Sequence, residues 1–306
     1  MAGDQTQEER DRVIGWDPEL RNMPREVRNV IAPTPLQGKD RMQFRCHPGI
    51  ACFNECCRNI EILLTPYDLL RLRRRLQLSA EEFLYQYATL YTMNKGQLPI
   101  AMLRMDEQTG SCPFVSEQGC SVYSDRPVTC RYYPLGLALL HRQKATEDEA
   151  FYFLIKEDFC LGHREEKQWQ VDEWRQDQGS DGYDEHNRNW MEFIIKRRSA
   201  GDGVSTSLPV SEFFYMASTN PDKFRQFVFQ SSFLQRYHVD EAQAERIRHD
   251  DEALIDFALS WLKSVLFGDQ DVAVKPEALA AYRAEKQAKA AAKRAQQPAA
   301  EAAEGE

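Results

Sequence analysis

Residues 112–134 read CPFVSEQGCSVYSDRPVTCRYYP, and this stretch decides how the middle of the chain can fold. Pro127 and Pro134 each remove a backbone donor and crowd the preceding turn, so no long helix runs through it. Gly110 and Gly119 punctuate the segment, which predicts short strands or loops over 98–105 and 112–123. Cys112, Cys120 and Cys130 are left to hold it together. Upstream, FRCHPGIACFNECC at 44–57 carries Cys46, Cys52, Cys56 and Cys57 among Pro48, Gly49 and Asn54, again a loop composition. Cys160 follows alone. Eight cysteines are twice four, the ligand count of a closed zinc site or of one cubane iron–sulfur cluster.

The rest of the chain bounds this reading. It has 306 residues, 42% of them hydrophobic, with 16 Phe, 12 Tyr and 5 Trp, too much large apolar surface for a disordered chain. The 39 Lys+Arg against 48 Asp+Glu give a net charge of -9, which disfavours a nucleic-acid partner except through a local patch. No apolar run approaches the roughly 18 to 20 residues of a membrane span. The N-terminus lacks the basic and apolar regions of a secretory signal, so we expect a cytoplasmic, reducing location. Disulfides are disfavoured there, leaving metal ligation or thiol chemistry for the cysteines.

Thr65-Pro66 reads as a helix start with Leu69, Leu70, Leu72 and Leu76 at helical spacing, and Ser79 with Glu82 as a capping box opening a second helix. Phe151–Ile155 is a strand candidate. Helices are expected through Trp190, Phe193 and Ile194, after Ser211, after Asn220-Pro221, and as an amphipathic helix over 251–267. Gly201-Asp202-Gly203 reads as a turn. We expect a polar arm at 1–40, tacked down by Val27, Val30 and Ile31. A cysteine-cluster domain at 41–165 follows, then a helical region at 166–272 packed on it, and an Ala-rich tail at 273–306 without order. The fold class is α+β, predominantly helical, with an irregular cysteine-rich core and short strands on C-terminal helices, forming one compact unit over about 10–270.

The first group is spaced Cys46-x5-Cys52-x3-Cys56-Cys57, unlike the paired knuckles of common zinc fingers. Adjacent side chains of an extended segment point apart, so Cys56 and Cys57 are expected to serve two metal atoms or two corners of a cluster. Arg126 and Arg131 put cations where thiolates accumulate charge and could donate to sulfur; surface pairs with Asp125 or Glu117 are the plainer account of Arg131. His47, His141 and His163 are reserve ligands. Tyr123, Tyr132 and Tyr133 are expected to pack in the core. Arg71, Arg73, Arg74 and Arg75 are expected on a solvated helix face.

The run Cys112-Pro113-Phe114-Val115 with Gly119-Cys120-Ser121-Val122-Tyr123-Ser124-Asp125-Arg126-Pro127-Val128-Thr129-Cys130-Arg131-Tyr132-Tyr133-Pro134 resembles the signature of the YkgJ-type cysteine-cluster family. Phe44-x-Cys46 through Cys56-Cys57, then Leu64-Thr65-x-x-Asp68, is similar to its opening cluster, and Cys160-x-Gly162 to its close. The resemblance covers about 44–163 and implies chelation of zinc or iron, including a 4Fe-4S cluster, by Cys46, Cys52, Cys56, Cys57, Cys112, Cys120, Cys130 and Cys160, in a structural, redox or sensing role. It also admits a cluster-dependent enzyme, because flagellin lysine methylase contains a similar cysteine domain. No S-adenosylmethionine signature is legible in 165–270. An adaptor that meets a protein partner through the C-terminal helices is the third reading.

Overall fold

The computed structural model describes residues 35–92, 98–140, 149–199 and 208–296. The arm at 1–34, the Gly201–Gly203 turn and His141 lie outside them. Packing divides the chain after Thr219, into Met1–Thr219 and Asn220–Glu306.

In the first unit, β1 (Arg41–Gln43) pairs antiparallel with β8 (Gln168–Gln170), Arg41 opposite Gln170 and Gln43 opposite Gln168. This ladder brings the two ends of the cysteine region together. Helix α1 (Pro66–Leu76) starts as its sequence requires: Thr65 Oγ1 accepts from Asp68 N at 3.0 Å, and Thr65 N donates to Asp68 Oδ2 at 3.0 Å. Ser79 and Glu82 open α2 (Ala80–Tyr87) in the same way. Strand β2 (Ala88–Thr92) then pairs with β3 (Pro99–Leu103), and β4 (Val115–Ser116) with β5 (Gly119–Cys120) across a two-residue turn. Gly119 holds φ at +111°, and a Cβ there would meet the Phe53 ring at 3.3 Å.

Helix α3 (Val128–Tyr132) follows Pro127, and β6 (Leu135–Leu140) pairs with β7 (Glu149–Leu154). Helices α4 (Val171–Asp177), α5 (Ser180–Ser199) and α6 (Leu208–Thr219) complete the unit, with α5 packed on α1, α3 and α4. Among the described residues, two apolar clusters pack against the cysteines. Ile62, Leu64, Leu69, Leu72, Phe83, Leu103, Phe114 and Val122 form one, with Cys112, Cys120 and Cys130 against it. Met42, Phe44, Tyr132, Leu135, Val171 and Trp174 form the other, with Cys160 against it. Each fully buried member such as Leu72 or Phe83 contributes roughly 1.5–3 kcal/mol of transfer free energy.

The second unit has α7 (Pro221–Gln230), capped by Asn220, whose Oδ1 accepts from Lys223 N at 3.0 Å, and the short α8 (Phe233–Arg236). Helices α9 (Glu241–His249), α10 (Asp251–Phe267) and α11 (Pro276–Gln296) follow. Phe224, Phe227, Phe233, Phe257 and Trp261 interlock at ring separations of 5.5 to 6.4 Å. This separate aromatic core is why the boundary at Thr219 falls inside the helical region expected as 166–272. Helix α10 is more than amphipathic, since Ala253, Leu254, Ile255, Phe257, Ala258, Leu259, Trp261 and Leu262 are all buried. Residues 276–296 of the Ala-rich tail, able to form a helix but with nothing to bury, run as the exposed α11. Alanine's helix propensity favours it, and Lys275 N to Arg236 O at 2.8 Å ties down its start. Arg71 leaves the solvated face expected for it: Nε and Nη2 donate to Asp125 Oδ1 at 2.9 and 2.5 Å, while Arg74 and Arg75 are exposed. Among the described residues no helix is long and apolar enough to cross a membrane.

Candidate metal centre

All eight cysteines line one cavity of about 1460 Å³ in the first unit. Backbone hydrogen bonds place them. Phe44 N to Lys167 O at 2.9 Å and Arg45 N to Gly162 O at 3.0 Å lay the Cys46 segment along the turn that follows Cys160. Leu161 N donates to Cys52 Sγ at 3.2 Å, which sets Cys52 beside Cys160. Consecutive turns close 50–57, with Asn54 at φ +72°, a conformation asparagine tolerates well, and its Nδ2 donating to Ser116 O at 2.9 Å. Cys112 N to Cys57 O at 2.8 Å joins this segment to the second group, where β5 carries Cys120 and α3 carries Cys130. The backbone thus places Cys52 and Cys160 together at one end with the Cys46 segment alongside, and joins Cys57 to Cys112 on the way to the other.

One expectation is corrected here. Cys56 and Cys57 lie in a 3₁₀ turn, Glu55–Cys57, rather than in extended chain, and their thiols hydrogen-bond each other. The premise of an extended segment does not hold.

The pocket resists charge on its own thiols. Burial first, and then the neighbouring thiols of Cys56, Cys52 and Cys160, push Cys46 up to about 11. Its hydrogen bond with Cys57, then burial, then the charges of Cys57 and Glu157 drive Cys56 far higher. Burial leads for Cys130, followed by Cys112, Asp68 and Cys120. Cys112 and Cys120 are raised by burial, Cys120 being partly relieved by a backbone hydrogen bond and by Arg126. Burial also raises Cys160. A multivalent cation reverses this balance, because ligated thiols are deprotonated outright. The donor set fits zinc or iron, with thiolates the favoured ligands of both. Among the described residues no three His, Cys, Asp or Glu side chains converge as a bound ion requires, so ligation needs side-chain rotation.

The two arginines sit at the second group. Arg126 is 7% exposed, donates to Tyr123 O at 2.5 Å and Gln178 Oε1 at 2.6 Å, and acts electrostatically on Cys120 and Cys130. Arg131, 5% exposed, donates to the carbonyls of Arg126, Ser124 and Gln178 and lies 3.9 Å over the Tyr183 ring. It makes no surface pair with Asp125, which Arg71 takes. Neither guanidinium donates to sulfur among these bonds. Tyr132 packs as expected, while Tyr123 is exposed at the cavity wall. His163 bonds Ile155 O through Nε2 at 2.9 Å, leaning on Phe44, and does not line the cavity; His47 does, its Nδ1 accepting from Gly49 N.

Three residues escaped the sequence reading of the site. Asp68, wholly buried, accepts from Val128 N at 2.9 Å as well as from Thr65 N, so it clamps the start of α1 to the start of the helix bearing Cys130. Burial first raises it to about 6, against hydrogen bonds from Thr65 and Val128. Tyr133 and Glu157 stand at Cys160, Tyr133 Oη donating to Glu157 Oε2 at 2.9 Å. The signals were present as Thr-x-x-Asp and Glu-x-x-Cys.

Residues 45–161, which take in all eight cysteines, match the model of the CxxCxxCC family, described as "Putative zinc- or iron-chelating domain". No curated protein and no solved structure matches the chain.

Proposed function

We propose that this CxxCxxCC-type domain binds zinc or iron through its cysteine thiolates, with an iron–sulfur cluster as one form of the bound iron. The observation that supports the reading is that all eight cysteines, drawn from three separate stretches of chain, line one cavity. Bound metal supplies the positive charge that the buried thiols lack, and Arg126 and Arg131 offset the negative charge of a thiolate centre from the second group's side. The test is metal and sulfide analysis of anaerobically purified protein. Iron with sulfide and a brown colour selects the cluster, stoichiometric zinc in a colourless protein selects zinc, and Cys56→Ser and Cys130→Ser each lower the metal content. Full metal content in both variants overturns the proposal.

The cavity favours an enzyme as the second reading. The cavity, about 1460 Å³, has room for a small molecule beside bound metal. Methyl transfer from S-adenosylmethionine, as in a protein lysine N-methylase, requires that the metal-replete chain bind that cosubstrate. Absence of binding by calorimetry removes it. An adaptor meeting a protein partner through the C-terminal helices is the third reading, with Val265 of α10 and Leu279 and Tyr282 of α11 exposed.

A further inference from the structure

Helix α5 carries a polar group that the fold leaves unsatisfied. Asp184, Asn187, Arg188, Met191, Glu192 and Ile195 recur at intervals of three and four along it and all line the cavity, so one face of the helix forms that wall. Arg188 and Glu192, at one margin of the face, are exposed, whereas Asn187, at the other margin, is 4% exposed. Among the described residues neither Oδ1 nor Nδ2 of Asn187 has a hydrogen-bond partner. Asparagine inside a helix ordinarily bonds the backbone or points to water, and this one does neither. A buried amide without partners destabilises the chain that carries it.

The wall beside it is aromatic. One turn back along α5, Asp184 Oδ2 accepts from Tyr132 Oη at 2.6 Å and from Arg175 Nη2 at 2.9 Å, which tethers the Tyr132 ring to this helix. The Tyr152 ring stacks on it at 6.1 Å, inclined by 22°, and both tyrosines line the same cavity. A carboxamide offers an acceptor and a donor side by side. Its complement is another carboxamide, or an amino group next to a ring nitrogen, the pairing that asparagine makes with adenine. Flat rings of that kind also pack on tyrosine faces.

We propose that the cavity binds a small, neutral, planar molecule with such a donor–acceptor edge, and that Asn187 is the residue that reads the edge. A bound partner of this kind satisfies both amide atoms at once and offsets the cost of burying them. The proposal requires neither bound metal nor methyl transfer.

The test is calorimetric titration of the full chain with adenine and with nicotinamide, each beside its N-dimethylated form, which keeps the ring and loses the N–H donors. At least one parent compound should bind with a Kd of about 1 mM or tighter, and the stronger of the two separates an aminopurine from a free carboxamide. Its dimethylated form should bind at least tenfold more weakly. Asn187→Leu, close in size and without polar atoms, should weaken the parent compound at least tenfold and raise the melting temperature of the ligand-free chain, as removal of an unpartnered buried amide does. A purely structural asparagine gives the opposite pattern, a lower melting temperature with binding unchanged. Failure of both parent compounds to bind, equal binding of a parent and its dimethylated form, or binding untouched by Asn187→Leu overturns the proposal.

Discussion

Replacing Asp68 by alanine should destabilise the first unit more in acid than at neutrality. Asp68 accepts from two buried amides, Thr65 N at 3.0 Å and Val128 N at 2.9 Å. Left without an acceptor, each costs about 1–3 kcal/mol, so the clamp stabilises by roughly 2–6 kcal/mol. Ionising that carboxyl in the folded chain is unfavourable, because burial raises it from 3.8 to about 6. A raised acid contributes stability that is full below its unfolded pKa and is lost as pH rises to the folded value. The window here is 3.8 to 6, and the loss between pH 4.5 and 7 is on the order of 2 kcal/mol. Urea denaturation of metal-free wild type and Asp68→Ala, followed by tryptophan fluorescence, should therefore show a stability gap that narrows by about that amount over this range. A constant gap would mean that Asp68 titrates as in water. A gap that widens with pH would mean that Arg131 stabilises its charge, and either result refutes the reasoning.

Two further outcomes follow from the site. Gly162→Ala places a Cβ 2.7 Å from the Phe44 ring and 3.0 Å from Arg45 O, so it should force the turn after Cys160 away from the Cys46 segment. A loss of about 1–3 kcal/mol and weaker metal retention are expected, and an unchanged melting temperature with full metal content would contradict this. Because burial and neighbouring thiols hold Cys46 up to about 11, ligation must displace protons, so zinc affinity should rise with pH from 6 to 8 with measurable acid release. An affinity independent of pH would show that the thiols are ionised before metal arrives.

What was legible in the sequence is what is local. Thr65 with Asp68, and Ser79 with Glu82, are capping boxes whose partners stand three residues apart, so a pattern names them and the structure forms them. The predominantly helical α+β class follows from such starts and from the prolines around Cys130. Contacts between distant stretches left no such trace. Arg71 meets Asp125 across 54 residues, turning an apparent solvated stripe into a partly buried pair. Asp68 was quoted for its motif, but its second bond, to Val128, closes only once α1 and α3 pack. The same holds for Cys56 and Cys57, which sit in a 3₁₀ turn where an extended segment was expected.

The β1–β8 ladder also fixes how the cysteine region would answer a mechanical load. Arg41 is opposite Gln170, so tension applied at those two residues would act at one end of an antiparallel pair. The pair then unzips one rung at a time instead of shearing all its bonds together. Met42 and Phe44 come away from the Trp169–Trp174 side early, and Cys46 next, so a modest pull would undo the Cys46 side of the cavity while Cys112, Cys120 and Cys130 stayed packed on their own apolar cluster.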